Sequence, residues 1–443
     1  MIFKFAFLNY RLRYWISNLL YTFKYMPYTR FKSYLKYYNI FNLKPSRFIY
    51  KNSNFCILPW IHMYITPLGE TFPCCVRNPS MNSFGNINNS PLENLWNSSK
   101  MKSLRTDMLQ NRPRPDVCGT CYKREKTEGN SHRLDFNKKF FHLIEKKIKS
   151  TQSDGFVSDL HWSYWDFRLS NKCNFRCRTC GPEYSTAWQS ELNSPTNPVR
   201  ELNRPTWQTG FEHFLNNSQN IEEIYFAGGE PLLIDEHYQL LEWLILNRKT
   251  NTVLSYNTNL SVLEYKNWKI LELWKKFNYV YVSPSIDHFG KKAELIRKGT
   301  NWIQIEEHLK LLLKEKNIRV RPTLTISALN ILDFVEIHKY FFKMGLIKTV
   351  NHFALNLLLE PEYFSISILP AEQKGLIRKS LVAYNQYLLQ TYGVGLNSLG
   401  LILNELEADK SHLQESLMYE LKRIDTLRNE NFHREFAAWG AHV

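Results

Sequence analysis

Three cysteines at C-x3-C-x2-C fall within one string, Leu169-Ser170-Asn171-Lys172-Cys173-Asn174-Phe175-Arg176-Cys177-Arg178-Thr179-Cys180-Gly181-Pro182, directly after a β-rich run. No other feature constrains this 443-residue chain so tightly. Clustered thiols in a chain that is not a disulfide scaffold point to metal ligation. These three can hold three irons of a four-iron cluster and leave the fourth without a protein ligand. A zinc knuckle lacking its fourth ligand is the alternative for the same thiols.

The other five cysteines are clustered too: Cys56, Cys74 and Cys75 lie together, and Cys118 pairs with Cys121. Eight cysteines are too sparse for a disulfide scaffold, and Lys4, Arg11 and Arg13 interrupt the apolar residues that a signal peptide would need. A reducing, cytoplasmic compartment is the expectation. No run of 18 or more uncharged apolar residues occurs, which argues against a membrane-spanning chain. The net charge of +16 is uneven, because residues 1–50 contain nine Lys or Arg and no acid.

The sequence divides into four stretches. Residues 1–50 interleave those cations with Tyr10, Tyr14, Trp15, Tyr21, Phe23 and Tyr25, a pattern compatible with one or two helices ending near Pro27. Such an arm could lie on nucleic acid or an anionic membrane surface, or dock its aromatic side on the protein body. Residues 51–135 are rich in turn residues and hold five cysteines, which reads as a small, loop-rich, metal-stabilised module. One helix is predicted there over 91–108, with Ser90 as cap and Pro91 at its first position, and a basic connector follows at 138–149.

Across 160–360 the periodicity alternates. β-rich runs at 164–169, 223–226, 253–256, 279–283, 320–326 and 353–359 are separated by helical patterns such as 238–246, 302–314 and 332–342. Strands alternating with helices predict parallel strands joined by right-handed crossovers, an α/β core. Residues 361–443 read as helical.

The ends of these runs carry polar strings. The second gives Gly228-Gly229-Glu230-Pro231, the third Asn257-Thr258-Asn259, the fourth Ser285-Ile286-Asp287, and Asn330 follows the fifth. Polar residues at successive carboxyl ends of parallel strands share one mouth. Together the C-x3-C-x2-C loop and the later G-G-E-P resemble the radical SAM superfamily. That resemblance implies a partial (β/α)6 TIM-like barrel and a [4Fe-4S] cluster on Cys173, Cys177 and Cys180, with S-adenosylmethionine at the open iron. It further implies that reductive cleavage of S-adenosylmethionine gives a 5′-deoxyadenosyl radical that takes a hydrogen from the substrate. Gly228, Gly229, Glu230, Pro231, Asn257, Thr258, Asn259, Ser285, Asp287 and Asn330 become candidate contacts to S-adenosylmethionine or substrate, with Arg297 as a further candidate. Thr179 stands where family members carry an aromatic or bulky apolar residue.

Residues 51–135 have a spacing of their own: Cys56, then Gly69, then Cys74, then Cys118-x2-Cys121. Gly69 would permit a hairpin turn. This order, with Cys56-Ile57-Leu58-Pro59-Trp60, Phe84-Gly85-Asn86 and residues 125–133, resembles the SPASM and twitch domains of some radical SAM enzymes. An auxiliary [4Fe-4S] cluster on Cys56, Cys74, Cys118 and Cys121 is then implied, with Cys75 spare and structural zinc as the alternative. The module precedes the core here, the reverse of the familiar order. By the same resemblance the substrate is a peptide or protein, and a flavodoxin or ferredoxin supplies electrons. Two alternatives remain: modification of RNA, a nucleotide or a sugar, and a non-catalytic metal-stabilised protein that binds nucleic acid or a membrane surface.

Overall fold

The computed structural model describes residues 27, 30, 47–78, 80–168, 170–192, 211 and 220–436. The helices expected before Pro27 lie outside these residues. Of the basic segment, Arg30 is described: it is buried, and its guanidinium pairs with Glu223 on the floor of the core.

The cysteine-rich module starts with a hairpin. Strands β1 (Tyr64–Ile65) and β2 (Thr71–Phe72) pair antiparallel, Tyr64 opposite Phe72, and Gly69 turns between them at φ +82°. Only glycine takes that angle without strain. Gly85 extends the hairpin, since its carbonyl accepts Thr71 N at 2.8 Å. The helix expected over 91–108 is two helices, α1 (Leu92–Trp96) and α2 (Ser99–Leu109). The break has a physical cause at Asn97, whose side chain bonds Val157 N and O at 3.0 Å and Arg105 Nη1 at 3.1 Å. Pro91 stands at the N-cap of the first helix rather than at its first position, no side chain caps that end, and Ser98 caps the second helix.

The module is also less loop-rich than expected. Cys118 and Cys121 ride on α3 (Pro115–Glu128), which has Pro115 at its first position and Gly129 at φ +68° as its stop. The basic connector forms two helices, α4 (His132–Lys139) and α5 (Phe141–Lys149), because Phe136, Phe140 and Ile144 recur at helical spacing and are buried.

The core confirms the six parallel strands. The first is β3 (Tyr164–Phe167), and the cysteine loop after it carries β4 (Arg176–Cys177). Next come β5 (Glu223–Phe226), helix α6 (Asp235–Leu246), β6 (Val253–Thr258) and β7 (Val280–Pro284). Then follow β8 (Arg297–Lys298), helix α7 (Trp302–Lys314), β9 (Ile318–Val320), β10 (Thr323–Ile326), helix α8 (Phe334–Lys343) and β11 (Ala354–Leu357). In space the order is β9-β7-β6-β5-β3, all parallel, and β10 pairs β11 in parallel. Pro322 interrupts the fifth strand between β9 and β10, and a parallel bridge from Ser285 to Thr323 carries the sheet across. Strand order follows chain order, as in a (β/α) barrel. Among the described residues no ladder joins β3 to β11, so the barrel is open on one side.

The two faces of this sheet differ. The outer one is apolar: Phe226 stacks on Tyr256 with centroids 4.7 Å apart, and His237 of α6 donates or accepts at Tyr256 OH over 2.9 Å. Burying a ring such as Phe226 completely contributes about 2–3 kcal/mol. The inner face carries Tyr164, Asp166, Glu223, Tyr225 and Ser255, which are alternate residues of their strands. The cysteine-rich module covers this polar face: Phe136 of α4 packs on Tyr164 at 4.7 Å, and Lys139 meets Glu223 at 2.9 Å.

The C-terminal stretch is helical as expected, with α9 (Ala371–Tyr392), α10 (Leu399–Glu407) and α11 (Gln414–Arg428). No helix among the described residues is long and apolar enough to cross a membrane.

Candidate functional site

The loop after β3 is fixed from three directions. The Gly228-Gly229 turn at the end of β5 docks on its entrance, where Gly229 N donates to Ser170 O at 3.0 Å and Glu230 N to Lys172 O at 2.7 Å. A Cβ on Gly229 would stand 2.2 Å from Lys172 O, so the glycines serve an approach of backbone to backbone. The middle of the loop pairs antiparallel with β8, Cys177 opposite Arg297. The far side is held by the C-terminal helices, which sequence reasoning left without a role. Arg178 is fully buried and bonds Leu295 O, Asp425 and Glu430, while Arg428 covers Trp188 and pairs with Glu191 at 2.8 Å.

All eight cysteines are free. Burial is the largest influence on Cys173, Cys177 and Cys180; it raises all three thiols, the first and last to about 12, with neighbouring thiols adding to it at Cys173 and Cys180 and Asp287 at Cys177. Arg297 pulls each of them down. Its guanidinium is anchored by Asp287 at 2.9 Å, and its Nε is buried with no hydrogen-bond partner among the described residues. Three gathered thiols that need a cation to ionise, beside an orphan donor, fit an iron–sulfur cluster with one iron free of protein.

Most of the remaining candidates converge on the same rim. Glu230 accepts from Thr258 Oγ1 at 2.7 Å, Asn259 N at 2.7 Å and Leu232 N at 3.1 Å. Burial outweighs these donors and lifts its carboxyl to about 7. Pro231 opens the short 3-10 turn that follows. Asn259 Nδ2 reaches Asn174 Oδ1 at 2.9 Å and comes within 4.0 Å of Cys173 Sγ. Ser285 N donates to Thr258 O at 2.8 Å. Asp287 also accepts Thr325 N, and Asn330 Nδ2 donates to Asp287 O and Thr325 O, each at 2.9 Å. These side chains are thus largely engaged with one another and stiffen the rim. Asn257 sits opposite Ser283 on the polar face of β6.

The second thiol set is drawn from three separate elements of the cysteine-rich module. Cys56 precedes a short buried helix, Leu58–Ile61, Cys74 follows β2, and Cys118 and Cys121 are one turn apart on α3. Burial raises all four thiols; Cys118 and Cys121 raise Cys56 further, Cys121 raises Cys118, and Cys75, Cys56, Cys118 and Cys121 all raise Cys74. The stretch 125–133 supplies the brace. Arg133 bonds Ser53 O at 2.6 Å and Phe55 O at 2.8 Å beside Cys56, and pairs with Glu125 of α3. Among the described residues no three His, Cys, Asp or Glu side chains close on a point as they would round a single ion. Cys75 also raises Cys74, and its own thiol feels the charges of Asp166 and Arg168 on the core.

Sequence reasoning missed Asp166 and Arg168. Their signal was available: two charges two residues apart at the carboxyl end of a strand of a parallel sheet, where a continuous apolar run is the norm.

Residues 167–341 match the radical SAM superfamily, and residues 56–122 match the SPASM iron–sulfur cluster-binding domain. A curated relative, molybdenum cofactor biosynthesis protein 1 of Dictyostelium discoideum, is 26% identical over 182 residues. That match covers 40% of this chain and 26% of the relative, so the chain spans about a quarter of its length. Among solved structures, native anSMEcpe with bound AdoMet is 19% identical with a TM-score of 0.38, over 53% of this chain and 63% of that one. SuiB of Streptococcus suis is 13% identical with a TM-score of 0.38, over 76% of this chain and 69% of that one.

Proposed function

Because this chain is a radical SAM enzyme with a SPASM iron–sulfur domain ahead of its core, we propose that it abstracts a hydrogen from a peptide or protein substrate. The observation that carries this reading is the docking of Gly229 and Glu230 on the loop of Cys173, Cys177 and Cys180, which joins two otherwise separate motifs in one rim. When bound, the cluster supplies the electron that cleaves S-adenosylmethionine to methionine and a 5′-deoxyadenosyl radical.

The chain's own residues bind, orient and enclose. Cys173, Cys177 and Cys180 would ligate the cluster, with Arg297 keeping a positive charge beside them. Gly228 and Gly229 leave room for close backbone contact, and Thr258 and Asn259 hold Glu230. Asn257, Ser285, Asp287 and Asn330 line or brace the mouth where S-adenosylmethionine and substrate meet. Helix α4 packs over the polar face at β3 and β5, through Phe136 on Tyr164 and Lys139 on Glu223. Cys56, Cys74, Cys118 and Cys121 would hold the auxiliary cluster. Four protein thiols leave it no open iron, which suits electron relay better than substrate ligation. A flavodoxin or ferredoxin is the reductant in this reading.

The peptide assignment is supported by the auxiliary domain, which accompanies peptide-modifying chemistry in enzymes of this kind. A small-molecule or nucleotide substrate is the second reading, favoured by the relative named for molybdenum cofactor biosynthesis. The two separate in one assay. Reconstituted enzyme with dithionite and S-adenosylmethionine is given a tryptic digest of total protein or a mixture of nucleoside triphosphates. Peptides should raise 5′-deoxyadenosine formation; stimulation by nucleotides alone contradicts the peptide reading.

A further inference from the structure

The polar face of the barrel holds one group of donors that neither cysteine site uses. Arg168 follows β3, and its guanidinium is clamped by Asp166 through Nε at 2.7 Å and Nη2 at 3.1 Å. Tyr64 of the hairpin and Tyr225 of β5 flank it, with ring centroids 5.2 and 5.5 Å from the guanidinium carbon. Arg168 Nη1 and the two phenol hydroxyls take no hydrogen-bond partner among the described residues. Asp166 is buried, whereas the Arg168 side chain is a quarter exposed, so the free edge of the guanidinium is the accessible one.

The position matters as much as the chemistry. Arg168 is five residues before Cys173 and touches the space beside Gly228, where a Cβ would meet Arg168 Cβ at 3.7 Å. On the other side Tyr64 belongs to the hairpin whose second strand, β2, leads directly to Cys74. The group therefore bridges the two cysteine sites across the mouth of the barrel.

We propose that Arg168, clamped by Asp166 and flanked by Tyr64 and Tyr225, binds a neutral amide carbonyl of the substrate and so positions a peptide between the two cysteine sites. This rests on the peptide reading above and adds the residues that recognise it. The charge balance selects the ligand class. The Arg168 charge is already matched by Asp166, so Nη1 and the phenols act as neutral-site donors looking for an uncharged acceptor. His132, which feels the Arg168 charge, is kept neutral by burial, at about 4. Burial already lifts the Asp166 carboxyl above its ordinary value, and a phosphate there would add more negative charge to the same enclosed spot. A peptide carbonyl adds none.

The test uses the iron-loaded full chain with S-adenosylmethionine on an array of immobilised randomised decapeptides, with oligouridine as the phosphate-bearing probe. Wild type should bind a subset of peptides and not oligouridine. Arg168→Met should weaken binding to that subset at least tenfold, with S-adenosylmethionine binding and iron content unchanged. Tyr225→Phe removes one hydroxyl without opening the fold and should weaken it about threefold. Undiminished peptide binding by Tyr225→Phe and by a folded Arg168→Met overturns this assignment alone. Binding of oligouridine with no peptide bound overturns both it and the peptide reading.

Discussion

Gly229 lies so close to Lys172 that a side chain on it would begin 2.2 Å from the Lys172 carbonyl oxygen, and the neighbouring Glu230 N donates to that same oxygen at 2.7 Å. The contact fixes the end of the second strand to the loop that bears the three cysteines. Substituting Gly229→Ala should therefore displace the loop. The expected cost is about 2 kcal/mol of stability, read from urea unfolding, together with loss of about half the bound iron after reconstitution.

Arg178 ties that loop to the C-terminal helices through Asp425 and Glu430. Arg178→Met leaves two carboxylates without their buried cation and should destabilise the fold by about 3 kcal/mol. Glu430→Gln keeps the shape and should cost less. An electron paramagnetic resonance spectrum of the reduced protein should change in both, because the loop loses a support; an unaltered spectrum would mean that the C-terminal helices do not act on it.

Acid should loosen the floor of the barrel. Burial opposes the ionisation of Glu223, but Arg30 and Lys139 outweigh it and hold the carboxyl at about 2, against 4.5 ordinarily. A carboxyl lowered by folding stabilises the fold above its unfolded value and loses that contribution as pH falls through the folded one. Stability should thus decline between about pH 4.5 and 2, and Glu223→Gln should flatten that limb of a urea-midpoint profile. An unchanged limb would place the acid sensitivity elsewhere.

The auxiliary site predicts an iron count. Wild type should bind about eight irons per chain and Cys121→Ala about four, with S-adenosylmethionine cleavage retained at the other site. Four irons plus one zinc in wild type would mean that the four thiols hold a single ion.

The parts of this fold that were legible in the sequence share a local cause. Strand runs such as 253–256 show their period within a few residues, and Gly69 signals its own turn by the angle it must adopt. What was not legible depends on distant partners. Asn97 breaks a helix because Val157, sixty residues on, takes its side chain. Glu230 looks like an open ligand in its motif, yet Thr258 and Asn259 occupy its carboxylate. Arg178 and Glu430 are 252 residues apart, and nothing local marks either as half of a clamp.

The measurement that bears most directly on the central claim is 5′-deoxyadenosine release by anaerobically reconstituted wild type and Cys177→Ala, given dithionite and S-adenosylmethionine. Wild type should form 5′-deoxyadenosine, and Cys177→Ala should form none while losing about four irons. A fully iron-loaded wild type that forms none, or a variant that forms as much as wild type, would contradict the assignment of Cys173, Cys177 and Cys180 to the catalytic site.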